Sequence, residues 1–152
     1  MKKFELTGDF KIFLGRKLFQ IRALIDIEKY DVKAGDLGGW VEKEENLDQN
    51  GNAWVSGDAW VSGDARVSGN ACVSGDALLK SSADILHISG LGTVHRTTTV
   101  FKCKNGEIKI SCGCFFGNLD AFRKQVVSTR CGKFKDEYLK FVELIEIYFR
   151  GE

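Results

Sequence analysis

The residues best suited to chemistry are His95-Arg96-Thr97-Thr98-Thr99, an imidazole and a guanidinium followed by three hydroxyls in succession. A guanidinium fork beside hydroxyl donors matches phosphate oxygens, because charge-assisted bidentate hydrogen bonds select that geometry. The competing reading is structural. Thr97 to Thr99 are then ordinary β-branched strand residues, and Arg96 pairs with a nearby carboxylate. Trp40, Trp54 and Trp60 add rings on which a base can stack. Arg22 supplies a further cation for an anionic ligand, although a strand face turned to water is the better explanation of it.

These residues must be positioned by a repeat. From Gly51 to Ala77 the chain reads GNAWVS-GDAWVS-GDARVS-GNACVS-GDA, five Gly-(Asn/Asp)-Ala starts at a spacing of six. Within each unit Ala and Val share a face by the period of a strand, and Ser-Gly-Asp/Asn supplies the turn. Strands this short must stack on copies of themselves. Hexapeptide periodicity predicts a parallel β-helix, in which about 18 residues close one coil and the next lies about 4.8 Å along the axis. Steps of six from Ala53 and Val73 reach Val41, Leu47, Leu79, Ile85 and Leu91, which predicts three coils over 37–91.

The outward positions sort into three faces: Trp54 with Cys72; Glu42 with Trp60 and Leu78; Asp48 with Arg66 and Asp84. The third is suited to water. On the other two, Trp54, Trp60 and Leu78 need cover, either from the chain's own terminal segments or from neighbouring copies in a homotrimer.

Flanking segments complete the layout. Phe10 to Leu14, Gly15-Arg16-Lys17 and Leu18 to Ile27 read as a hairpin, forming an N-terminal β cap over 1–36. Lys104-Asn105-Gly106-Glu107 joins two strands, Thr97 to Phe101 and Ile108 to Ser111. Asn118 can cap a helix from Leu119 to about Ser128, with a stop at Cys131-Gly132 and a second start at Asp136. Tyr138, Phe141, Val142, Ile145, Tyr148 and Phe149 form a stripe that must pack on the body or on another chain. The C-terminal part, 92–152, is thus a hairpin with two helices within one compact unit.

A chain of 152 residues can bury roughly two-thirds of its unfolded surface and needs neither disulfides nor metal to fold. A net charge of +1 gives no global attraction to DNA, RNA or anionic membranes. No apolar run reaches the roughly 18 residues of a membrane span, and the Met1-Lys2-Lys3-Phe4-Glu5 start has no signal-peptide core. Five cysteines, an odd number, suggest reduced thiols in a cytoplasm.

Enzyme readings are weighed on the same residues. His87 or His95 can be placed as the general base of a hexapeptide acyltransferase, which the middle of the chain resembles, but three coils leave a short cofactor groove. A zinc site of carbonic-anhydrase type needs three histidines, and the chain has two. Cys103, Cys112, Cys114 and Cys131 offer thiols for a metal, yet CxC without a CxxC partner lacks zinc-ribbon spacing, and buried structural thiols account for them. The expectation is therefore no catalytic residues, no metal and no cofactor.

The order KLFQIRAL, DLGGWVEKEENL, the GNAWVSGDA hexapeptides, RTTT and SCGCF, followed by a helical tail, resembles small proteins encoded by bacteriophages and prophages. The resemblance covers nearly the whole chain. It implies a left-handed β-helix in the middle and a phage origin, hence the cytoplasm of an infected bacterium. It implies no activity. Phage accessory proteins of this size often blunt host defence, which makes two binding roles the leading expectations. One is sequestration of a phosphate-bearing nucleotide second messenger by His95, Arg96, Thr97, Thr98, Thr99, Arg22 and Trp40, with Trp54, Trp60 and Leu78 at an oligomer interface. The other is a plug bound to a host defence protein.

Overall fold

A computed structural model describes residues 2–113 and 115–150. Strands β1 (Phe4–Phe13) and β2 (Arg16–Ala23) form an antiparallel hairpin. It turns at Leu14 and Gly15, both at positive φ (51° and 78°). Strand β2 pairs antiparallel with β3 (Leu37–Val41) through Phe19↔Val41 and Gln20↔Trp40. From β3 the pairing turns parallel, to β5 (Trp60–Val61) and then β7 (Leu78–Leu79), giving one mixed sheet of order β1-β2-β3-β5-β7. Strands β4 (Trp54–Val55) and β6 (Cys72–Val73) make a separate parallel pair.

Strands β8 (Ile85–Leu91), β9 (Arg96–Lys102), β10 (Ile108–Cys112) and β11 (Phe115–Gly117) form an antiparallel sheet of order β11-β10-β9-β8. Helices α1 (Leu119–Thr129) and α2 (Gly132–Tyr148) follow. Asn118 caps α1, its Oδ1 accepting from Ala121 N at 2.8 Å.

The predicted left-handed parallel β-helix over 37–91 is corrected by this topology. The chain is mainly β with two helices, but its strands lie in three separate sheets, one mixed, one antiparallel and one a two-stranded parallel pair. Two physical reasons stand out. Each repeat strand is only two residues long, and around Arg66 the extended backbone makes just one bridge, Leu47↔Val67. The hairpin also joins the repeat edge to edge. Strand β2 hydrogen-bonds to β3, so antiparallel strands extend the repeat's own sheet.

The second helix starts at Gly132, four residues before the predicted Asp136, with Cys131 at the N-cap position but without a side-chain capping bond. Strand β2 ends at Ala23, short of the predicted Ile27, which instead bridges Val32.

Alternation along the repeat decides what is buried. Ala53, Ala59, Ala65, Ala71 and Ala77 point inward with Val55, Val61, Val67, Val73 and Leu79, all at 0 to 1 % exposure. At about 1.5 to 3 kcal/mol for each fully buried Val or Leu, this stack is a main source of stability. The turns need glycine where neighbouring backbone closes in. At Gly63 (φ +62°) a Cβ would lie 2.1 Å from Lys80 O. Lys3 is buried against the repeat, its ammonium donating to Ala53 O at 2.6 Å.

Strand β9 divides two cores by the same period-two rule. Phe101 joins the repeat's core together with Cys103. Val100 faces the other way, into a second core with Ile110, Cys112, Phe122, Tyr138 and Phe141. The stripe on α2 packs there, and Tyr148 Oη donates to Ser82 O and Ile85 O, both at 3.1 Å. Among the described residues, no helix is long and apolar enough to cross a membrane.

Candidate functional site

Thr97 and Thr99 stand on the face of β9 turned toward the repeat, and Ser111 on β10 is directly opposite Thr99 in the register. Arg96 begins the strand. Across from them lies a short 3-10 turn, Glu28–Tyr30. Between these elements is a cleft of about 310 Å³ lined by Lys29, Tyr30, Arg96, Thr97, Thr99, Ser111 and Gly113. That volume is at the lower end of small-ligand pockets, roughly 300 to 1,000 Å³.

The cleft's polar groups are fixed from behind. Thr99 Oγ1 accepts from Cys72 N at 3.2 Å, and Thr97 Oγ1 shares a 2.7 Å hydrogen bond with Ser89 Oγ. Tyr30 Oη donates to Asn70 O. Burial, with a smaller contribution from Cys72, pushes the Tyr30 phenol up to about 12, so the ring stays neutral.

Arg16, Arg22, Arg66 and Arg123 each pair with a carboxylate. Among the described residues no carboxylate lies within ion-pair distance of Arg96 or Lys29, which excludes a local carboxylate partner for Arg96 there. Gly113 lets Arg96 take its path, since a Cβ at this residue (φ +59°) would stand 2.8 Å from Arg96 Nε and 3.0 Å from Cζ. The site thus holds two cations, three hydroxyls and an aromatic ring, a set suited to phosphate oxygens with an attached planar group.

The predicted ligand residues divide. Arg96, Thr97 and Thr99 come together in the cleft. Thr98 faces the helices and donates to Cys112 Sγ at 3.2 Å. His95 lies exposed in the turn before β9 (φ 52°), with Nδ1 3.0 Å from Gly90 O. Arg22 binds Glu5 at 2.6 Å on the hairpin. Trp40 lies in β3 under Lys11, whose Nζ is 4.4 Å from the ring.

Trp54, predicted at an oligomer interface, is 2 % exposed in the single chain. Trp60 packs against Phe13 with ring centroids 5.0 Å apart, and Lys104 Nζ sits 3.9 Å from its ring. Leu78 follows Trp60 in the same ladder and is half-buried.

His87 is half-buried, and burial lowers its pKa, favouring the neutral imidazole. Cys103 and Cys112 belong to different cores, and Cys131 is exposed. Cys114 lies outside the described residues. Among the described residues no group of three or more His, Cys, Asp or Glu is placed to hold a metal ion.

Four cleft residues escaped prediction: Lys29, Tyr30, Ser111 and Gly113. Ser111 was within reach, because the Asn105-Gly106 hairpin sets it opposite Thr99. Lys29 and Tyr30 arrive through tertiary packing, and no local pattern marks them. No protein-family model matches the chain, and no curated protein matches it.

Proposed function

We propose that this is a phage-encoded binding protein that holds a phosphate-bearing nucleotide, of the kind used as a cyclic defence signal, without turning it over in the infected host's cytoplasm. The observation that carries the reading is Arg96, which has no ion-pair partner among the described residues and shares a cleft with Lys29, Thr97, Thr99 and Ser111. A bound phosphate would supply the counter-charge these two cations lack, and Tyr30 offers a ring for the base. Binding is favoured over turnover because the Thr99 hydroxyl is tied to the Cys72 backbone and the Thr97 hydroxyl to Ser89 outside the cleft. Among the described residues neither hydroxyl bonds to an imidazole or carboxylate that could act as a base.

The test is native mass spectrometry of the protein purified from phage-infected cells, followed by denaturing release of anything bound. Wild-type protein should release a nucleotide-sized mass, and Arg96→Ala should release none while keeping its melting temperature. Equal retention by Arg96→Ala would refute the assignment.

One observation favours a second reading, a plug against a host defence protein. Phe10, Ile12 and Leu14 alternate along the hairpin at 49, 61 and 75 % exposure, an apolar edge suited to a protein partner. A stable host complex lost in Ile12→Asp, with no small molecule released from the wild type, would favour that role.

A further inference from the structure

A second cavity lies behind the cleft, between the C-terminal sheet and the helices. It is small, about 80 Å³, and its lining includes Arg96, Cys112, Phe122, Gln125, Arg130 and Tyr138. It has room for a group the size of a few water molecules, and far less than the roughly 300 Å³ at which small-ligand pockets begin.

Its charge is unusual for so small a space. Two guanidinium side chains line it, and among the described residues no carboxylate does. Among the described residues, neither Arg96 nor Arg130 has an ion-pair partner. Arg130 is the C-cap of α1, its N donating to Val126 O at 2.9 Å, and its guanidinium carbon lies 5.1 Å from the centre of the Tyr138 ring. The Tyr138 hydroxyl is turned to Leu91 O at 3.3 Å. Burial pushes its pKa up to about 12, so it adds no negative charge. Two like charges facing one partly apolar cavity repel each other unless an anion lies between them.

We infer that this cavity is a second anion site, taking one phosphate group between Arg96 and Arg130 with the Gln125 amide as a further donor. Guanidinium forks match the oxygens of a tetrahedral anion, and the volume excludes a nucleoside. Arg96 lines both this cavity and the cleft. The phosphate therefore comes either from free inorganic phosphate or from the second phosphate of a ligand whose nucleoside occupies the cleft. The latter source rests on the function proposed above; the former does not.

Titration calorimetry on the full chain separates these cases. Of these two sites, Arg130 lines the cavity and not the cleft, and Lys29 the cleft and not the cavity. With inorganic phosphate as the probe, Arg130→Gln should weaken binding by about tenfold or more, the loss expected for charge-assisted hydrogen bonds, and Lys29→Gln by less than about twofold. Arg130→Lys, which keeps the charge but not the fork, should fall between wild type and Arg130→Gln and controls for misfolding.

With adenosine 3′,5′-bisphosphate against adenosine 5′-monophosphate, selective weakening of the bisphosphate by Arg130→Gln assigns the site to a ligand's second phosphate. An effect confined to inorganic phosphate assigns it to the free ion. If Arg130→Gln changes the binding of none of the three probes, the second site is refuted. Nucleotide retention that depends on Arg96 would still stand in that case.

Discussion

Lys3 carries a pH-dependent contribution to stability that one substitution isolates. Its ammonium is 1 % exposed and donates to Ala53 O at 2.6 Å. Burial lowers its pKa from 10.5 to about 8, against a smaller opposing pull from the Asp48 carboxylate. The folded chain therefore holds this proton less tightly than the unfolded chain does. Stability rises with pH from about 8 toward 10.4, where the native state has shed a proton that the unfolded state keeps.

Fully expressed, such a shift is worth about 3 kcal/mol at ~1.36 kcal/mol per pH unit. Between pH 7 and 9 the expressed part is about 1.3 kcal/mol. Cys72 works against it, since burial pushes the thiol up to about 11 and stability is lost as the unfolded thiol ionises. Lys3→Met leaves Cys72 in place, so the difference between wild type and variant cancels it.

The assay is urea unfolding followed by circular dichroism at pH 7, 8 and 9. The wild type should gain about 1.3 kcal/mol relative to Lys3→Met across that range. A difference that stays flat within about 0.3 kcal/mol would show that the ammonium is not desolvated and would sink the reasoning.

Other substitutions probe the repeat and the cleft. Gly63→Ala should cost more than about 2 kcal/mol by denaturant unfolding, from strain at positive φ together with the contact at Lys80 O. Gly57→Ala, whose nearest contact is Gly75 N at 3.2 Å, should cost clearly less. Tyr30→Phe removes the hydrogen bond to Asn70 O and should lower stability by about 1 kcal/mol, read as a shifted urea midpoint. Alkylation at pH 8 with peptide mapping should label exposed Cys131 well before Cys103 and Cys112, which are buried, or Cys72, whose thiol is held protonated.

What was legible in the chain follows the range of the interactions. The inward Ala and Val positions, the Asn118 cap and the Asn105-Gly106 hairpin depend on residues a few positions apart, and each is found as read. The parallel pairing of Trp54 with Cys72 and of Trp60 with Leu78 also follows from the repeat. Sheet membership did not follow. Whether β2 covers β3 or pairs with it turns on backbone hydrogen bonds that no side-chain pattern encodes. The site behaves alike: alternation along β9 separates Thr98 from Thr97 and Thr99, a division readable in advance, whereas Lys29 and Tyr30 reach the cleft from far along the chain.

That distance bears on how the cleft comes into being. Its hydrogen bonds join Tyr30 to Asn70 across 40 positions and Cys72 to Thr99 across 27. The β9–β10 hairpin supplies Arg96, Thr97, Thr99 and Ser111, but Lys29 and Tyr30 on the opposite wall come from a distant turn, so no single hairpin, repeat unit or helix contains the whole cleft. Loops of this length must close before any binding surface exists, and such long-range closures slow folding. Newly made chains should therefore gain ligand affinity late, together with the last cooperative folding step. A ligand present during refolding should slow unfolding while leaving the folding rate nearly unchanged.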